Sequence, residues 1–89
     1  MDTPTRYTVE LRLPQAGWAD VQEATARARA ATEGGPVRFL RSIFVPEDDA
    51  CFFLYEGPSA ESVRAAARRA KLGVRRVEAA LRLDGEETS

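Results

Sequence analysis

The chain switches between two hydrophobic rhythms. From Arg6 to Leu13, RYTVELRL sets Tyr7, Val9, Leu11 and Leu13 on one side and Arg6, Thr8, Glu10 and Arg12 on the other. A repeat of two predicts a strand with one buried face, and Pro14 closes it. From Trp18 to about Glu33 the rhythm becomes helical, with Trp18, Val21, Ala24, Thr25, Ala28 and Ala31 on one stripe. Gly17 is the expected N-cap, with Asp20 at the third helical position. The early acids and the later Arg27 and Arg29 suit the helix dipole. Gly34-Gly35-Pro36 should end the helix, the glycines supplying left-handed backbone and the proline barring continuation.

Two further apolar runs, VRFLRSIFV (Val37 to Val45) and ACFFLYE (Ala50 to Glu56), flank the polar PEDD. Their β-branched and aromatic residues and short link predict an antiparallel hairpin. Ser59 is a good N-cap for AESVRAAARRAK, whose Val63, Ala66, Ala67 and Ala70 form one stripe, and Gly73 is the expected stop. VRRVEAALRL returns to a period of two through Val77, Ala79, Leu81 and Leu83, and DGEETS is a polar tail. The order β-α-β-β-α-β predicts an α+β, ferredoxin-like fold. Its four-stranded antiparallel sheet, ordered 4-1-3-2, carries two helices on one face. With no linker or repeat, residues 1–89 read as a single domain with an ordered core of about 5–83.

The hairpin is apolar on both sides, yet the helices can cover only one. If Leu40, Phe44, Phe52 and Leu54 lie under the helices, the open face carries Phe39, Arg41, Ile43, Cys51, Phe53 and Tyr55. Thr8, Glu10 and Arg12 join them from the first strand, and Glu78 and Arg82 from the fourth. So much apolar surface predicts a partner, and a second copy packed sheet to sheet gives a dimeric α+β barrel. An apolar cleft with a few convergent polar groups is the expected ligand site. Its residues are Glu10, Arg41, Tyr55, Phe39, Phe53 and Glu78: Arg41 for an anionic group, Glu10 as base or acceptor, Tyr55 to orient the ligand.

Composition narrows the chemistry. The chain has 89 residues, small enough that its own core is modest and a partner subunit would help. A net charge of −1 argues against nucleic acid as the main partner. No run reaches membrane-spanning length and no signal-peptide core stands at the N-terminus. One cysteine cannot form an internal disulfide, so a cytoplasmic setting is expected. With no histidine, His-based triads and the commonest metal ligand are both excluded. Cys51, with no imidazole to lower its pKa, reads first as a small apolar strand residue. Glu47-Asp48-Asp49 reads as a solvated turn, and Arg64, Arg68 and Arg69 as a solvated helix face.

The run Phe-x-Leu-Tyr-Glu-x-Pro-Ser-Ala-Glu-x-Val, from Phe52 to Val63, is specific enough to compare with known families. Together with Ala70-Lys71-Leu72-Gly73-Val74 and YTVELRLP at Tyr7 to Pro14, it resembles a small bacterial family of ferredoxin-like domains that includes a nickel-binding, nickel-responsive protein. The resemblance implies a homodimeric α+β barrel and a site for nickel or another divalent metal. The chain departs from that pattern where the family has histidine near the position of Arg41 and cysteine near that of Phe53. What is left for a metal is Glu10 and Cys51, with Glu56, Glu78 and the acidic turn behind them. Two functions follow: a homodimeric metal- or ligand-binding protein, and a cofactor-independent enzyme or carrier that uses the open-face cavity for a small organic molecule. Binding is favoured over catalysis, because no motif identifies a reaction.

Overall fold

A computed structural model describes residues 5–12, 17–48 and 50–80. The expected ends of the first and last strands (Leu13, Pro14, Leu81, Arg82 and Leu83), Asp49 of the acidic turn and the DGEETS tail lie outside the described residues. The elements are β1 (Thr5–Leu11), α1 (Trp18–Thr32), β2 (Arg38–Val45), a 3-10 turn (Pro46–Asp48), β3 (Ala50–Gly57), α2 (Ala60–Arg69) and β4 (Val74–Ala80). The sheet is ordered β2-β3-β1-β4 with every pair antiparallel, so this is the ferredoxin-like fold read from the sequence. No described helix is long and apolar enough to cross a membrane.

Both helices start as their sequences direct. The Asp20 carboxylate accepts a hydrogen bond from the Gly17 N–H at 2.9 Å. At α2, Ser59 Oγ accepts from the Ser62 N–H at 3.1 Å, and Ser62 Oγ accepts from the Ser59 N–H at 3.2 Å. This is a reciprocal capping box with serine in the place of the usual glutamate. Ser59→Ala is therefore expected to cost about 1 kcal/mol of stability, read from the urea midpoint, with no change of fold.

The helix ends differ. Gly34 terminates α1 with φ +74°, as expected. At α2 the left-handed position is Lys71, φ +60°, and not Gly73. The Lys71 N–H donates to the Arg68 carbonyl at 2.8 Å and the Leu72 N–H to the Ala67 carbonyl at 3.2 Å. That pattern is a Schellman motif, and burial of Leu72 secures it. Gly73 serves the strand instead: its carbonyl accepts from the Arg12 N–H at 2.7 Å, and a Cβ there would stand 3.3 Å from the Arg12 carbonyl. Arg27, read from the sequence only as a dipole residue, donates from Nε to the Ala70 carbonyl at 2.9 Å and ties α1 to the end of α2. Trp18 continues the α1 stripe in spacing but stands 65% exposed at the first helical position, so it is not a core residue.

One core lies between the helices and the sheet. Val21, Ala24 and Ala28 of α1 and Val63, Ala66 and Ala67 of α2 pack with Val9, Leu11, Cys51, Phe53 and Tyr55. The assignment of hairpin faces is thereby corrected. Cys51, Phe53 and Tyr55 point under the helices, while Phe52 and Leu54 stand on the open face. In β2, Phe39 also packs against the core. Arg41 and Ile43 do lie on the open face, and Phe44 on the helix side, as expected. The cause is an irregularity between Phe39 and Arg41: Phe39 pairs with Tyr55, but Arg41 pairs with Leu54. The extra residue, Leu40, breaks the alternation of faces, as a β-bulge does.

Candidate functional site

The open sheet face is built in three cross-strand rows. Because opposed residues of antiparallel strands point to the same side, the pairing register defines each row. Arg38, Glu56, Arg6 and Ala80 form the first, and Arg41, Leu54, Thr8 and Glu78 the second. Ile43, Phe52, Glu10 and Arg76 form the third. The apolar groups, Ile43, Phe52 and Leu54, lie together on β2 and β3, with Ile43 45% exposed; of the carboxylates, Glu56 stands on β3 and Glu10 and Glu78 on β1 and β4.

Arginines hold the carboxylates of this face. Glu56 lies between Arg6 at 3.6 Å and Arg38 at 3.7 Å. Arg76 reaches Glu10 at 3.8 Å and Glu78 at 3.4 Å. Among the described residues Arg41 makes no ion pair. Sequence reasoning named Glu10, Glu78 and Arg41 but missed Arg6, Arg38 and Arg76. The signal for Arg6 and Arg76 was available, since each stands two residues from a position already assigned to this face, Thr8 and Glu78; Arg38 lies beyond the irregularity at Leu40, where alternation fails.

Of the expected ligand residues, the fold brings Glu10, Arg41 and Glu78 onto this face and removes Tyr55, Phe39 and Phe53 from it. Those three aromatics form a cluster, with Phe53 and Tyr55 in the core and the half-buried Phe39 packed against them. Phe39 meets Phe53 edge-on at 5.1 Å between centroids and Tyr55 at 5.6 Å. Such contacts add to the burial of the rings and fix their orientation. Two surface hollows among the described residues flank α1. One, of about 480 Å³, is lined by Arg29, Gly34, Gly35, Arg38 and Phe39, with the Arg29 guanidinium 5.5 Å over the Phe39 ring. A second, of about 300 Å³, lies between Trp18, Thr25, Arg29 and Ser42.

Cys51 and Tyr55 are core groups in their chemistry as well. Burial raises the Cys51 thiol above its usual 9.0 and pushes the Tyr55 phenol up to about 12. The Tyr55 hydroxyl is fully enclosed and has no hydrogen-bond partner among the described residues. Both are acids whose neutral form the fold prefers. The stabilisation they carry is complete below the unfolded values and is lost as pH rises through the raised ones. The unfolding free energy from urea titration should stay flat up to about pH 9 and fall above it, at up to about 1.4 kcal/mol per pH unit for each group. Tyr55→Phe should be neutral or stabilising at pH 7, since it deletes an orphaned hydroxyl. It should also remove the part of the decline lying between pH 10 and 12.

The donor set can be tested against a metal. Glu10 opposes Phe52 and Leu11 opposes Cys51, so Glu10 and Cys51 project to opposite sides of the sheet and cannot share an ion. The remaining open-face carboxylates, Glu56 and Glu78, are bound by arginines, whose charge repels a dication. No three of His, Cys, Asp and Glu among the described residues stand close enough together to hold an ion. The described residues of one chain do not fit a nickel centre.

Fold and face together define the class: a ferredoxin-like α+β protein whose own helices cover one side of its antiparallel sheet and leave the other open. The profile of the family described as nickel responsive protein SCO4226-like matches residues 7–79, and the chain belongs to that family. The crystal structure of SCO4226 from Streptomyces coelicolor A3(2) is similar in fold, with a TM-score of 0.77 and 22% sequence identity, covering 88% of this chain and 99% of that one. No curated protein sequence matches the chain.

Proposed function

We propose that this member of the family is a homodimeric binding protein, whose two open sheet faces meet and enclose a chamber for a small, largely apolar organic ligand. The observation that carries this reading is the patch formed by Ile43, Phe52 and Leu54. It lies on a sheet face that neither described helix covers, bracketed by the Arg6–Glu56–Arg38 and Glu10–Arg76–Glu78 clusters. Aligned sheets stack about 10 Å apart, close enough to dry such a patch and leave its polar border to orient a guest. The guest is organic in this reading because each of the carboxylates Glu10, Glu56 and Glu78 already has an arginine beside it, whose charge disfavours a dication. Among the described residues no thiol and no carboxylate without an arginine stands on the face: Cys51 is on the other side, and Glu10, Glu56 and Glu78 are paired. That supports binding rather than catalysis.

Two titrations test the ligand class. The apolar anionic dye 8-anilinonaphthalene-1-sulfonate should bind saturably, with a fixed stoichiometry per dimer, and Phe52→Ala should weaken it by about tenfold, near 1.4 kcal/mol. Equilibrium dialysis against nickel should leave no stoichiometric metal on the protein. A non-saturating dye signal, or one nickel retained per chain or per dimer, would contradict the reading.

A further inference from the structure

The charges on the open face are not scattered, and their order says how a second copy lies on it. Both charged residues that β2 presents there, Arg38 and Arg41, are cations. On the far edge, β4 presents Arg76 and Glu78 to that face, and Glu78 occupies the same row as Arg41. That second row therefore runs cation, Leu54, Thr8, carboxylate from one edge of the sheet to the other.

Resting on the homodimer reading above, we infer that the two copies stack about a two-fold axis parallel to the strands, so that Arg41 of each chain pairs with Glu78 of its partner. Rotation about such an axis reverses the strand order from left to right and keeps each row at its own height. It lays β2 over the partner's β4, and the second row becomes complementary to itself twice over. In the first row, the same operation sets Glu56 over the partner's Arg6 and Arg6 over the partner's Glu56. In the third, Ile43 and Phe52 meet the partner's Arg76 and Glu10, a pair already neutralised within its own chain at 3.8 Å. The other face-to-face arrangement, with the axis perpendicular to the strands, lays β2 over β2. It also inverts the order of the rows, so that centred on the second row it sets Arg41 over the partner's Arg41 and Glu78 over the partner's Glu78, and like charges across an interface are strongly unfavourable. Arg41 is exposed and without an ion-pair partner among the described residues, while Glu78 holds only a solvent-exposed contact to Arg76. Arg41 is therefore available to a partner, and Glu78 can share its exposed carboxylate between Arg76 and a cation across the interface, where long side chains from either sheet can meet.

Charge exchange tests the register. Arg41→Glu and Glu78→Arg should each raise the dimer dissociation constant by at least about tenfold, and the double exchange should return it to within about threefold of the wild type. Sedimentation equilibrium supplies the constants, and far-UV circular dichroism checks that each variant is folded. Both positions are exposed, so the fold should tolerate the changes; the milder Arg41→Met and Glu78→Gln give a second cycle, expected to be non-additive. A dimeric wild type in which the double exchange is as weak as the two single effects combined overturns the register alone. Single exchanges that dimerise like the wild type do the same. A wild type that stays monomeric overturns the homodimer reading and the register with it.

Discussion

Phe53→Ala should destabilise the chain by about 3–5 kcal/mol, the range for removing a fully buried aromatic ring from a packed core. Phe53 has no exposed surface, pairs with Val9 across β1, and meets the Phe39 ring edge-on. Deleting it opens a void between the sheet and the helices, and Phe39 and Tyr55 lose a shared neighbour. A domain of this size has total stability of only about 5–10 kcal/mol, so the variant should be largely unfolded well below the wild-type denaturant midpoint. Urea unfolding followed by circular dichroism measures the difference. Were Phe53 on the open face, the same truncation would leave folding nearly unchanged and act mainly on assembly.

Its neighbour should behave in the opposite way. Leu54→Arg is expected to leave the fold intact and separate the dimer, raising the dissociation constant by about a hundredfold or more, near 2.7 kcal/mol. Leu54 is half-buried on the open face, between Arg41 and Thr8 in the second row. In a lone chain, an arginine at that position can lie along the sheet with its guanidinium in water. In a face-to-face dimer it puts an unpaired charge at the centre of the interface, where burial without a partner is costly. The two adjacent substitutions thus separate folding from assembly by one step along β3.

The contrast between Phe53 and Leu54 also shows what the sequence could carry. β1 declared its faces plainly, because Thr8 and Glu10 alternate with Tyr7, Val9 and Leu11. β3 did not, since FFLY is apolar at every position and only Glu56, at its end, marks the solvent side. Glu56 shares parity with Phe52 and Leu54, and that parity is the correct one. The reading of β2 failed for a different reason. A strict alternation joins Phe39 to Arg41 and Ile43, but the bulge at Leu40 moves Phe39 to the other face, and a bulge leaves no periodic trace in eight residues. Once Phe39 was grouped with Arg41, Tyr55 and Phe53 followed it out of the core. The elements themselves were legible because their boundaries are chemical: Ser59 as a cap, Gly34 as a stop, Asp20 folding back on Gly17. At Lys71 the local chemistry was overridden, since burial of Leu72 holds a non-glycine residue in left-handed backbone.

The candidate site was half legible. Glu10, Glu78 and Arg41 were placed on the open face by alternation alone, and they stand there. The pairing of Glu10 with Cys51 as metal donors was not sustained, because adjacent rows of β1 and β3 send those side chains to opposite sides of the sheet. Membership of the nickel responsive protein SCO4226-like family therefore sits beside a face whose carboxylates are held by arginine. Arg41 brings a cation to the open face, and Phe53 fills the core with a ring that offers no donor.

The central claim is that the open face exists to meet another copy of itself, and the most direct measurement is the mass of the unmodified chain in solution. Sedimentation velocity at micromolar concentration should give one species at twice the 9.8 kDa of a single chain. A single species at 9.8 kDa under the same conditions would contradict the account.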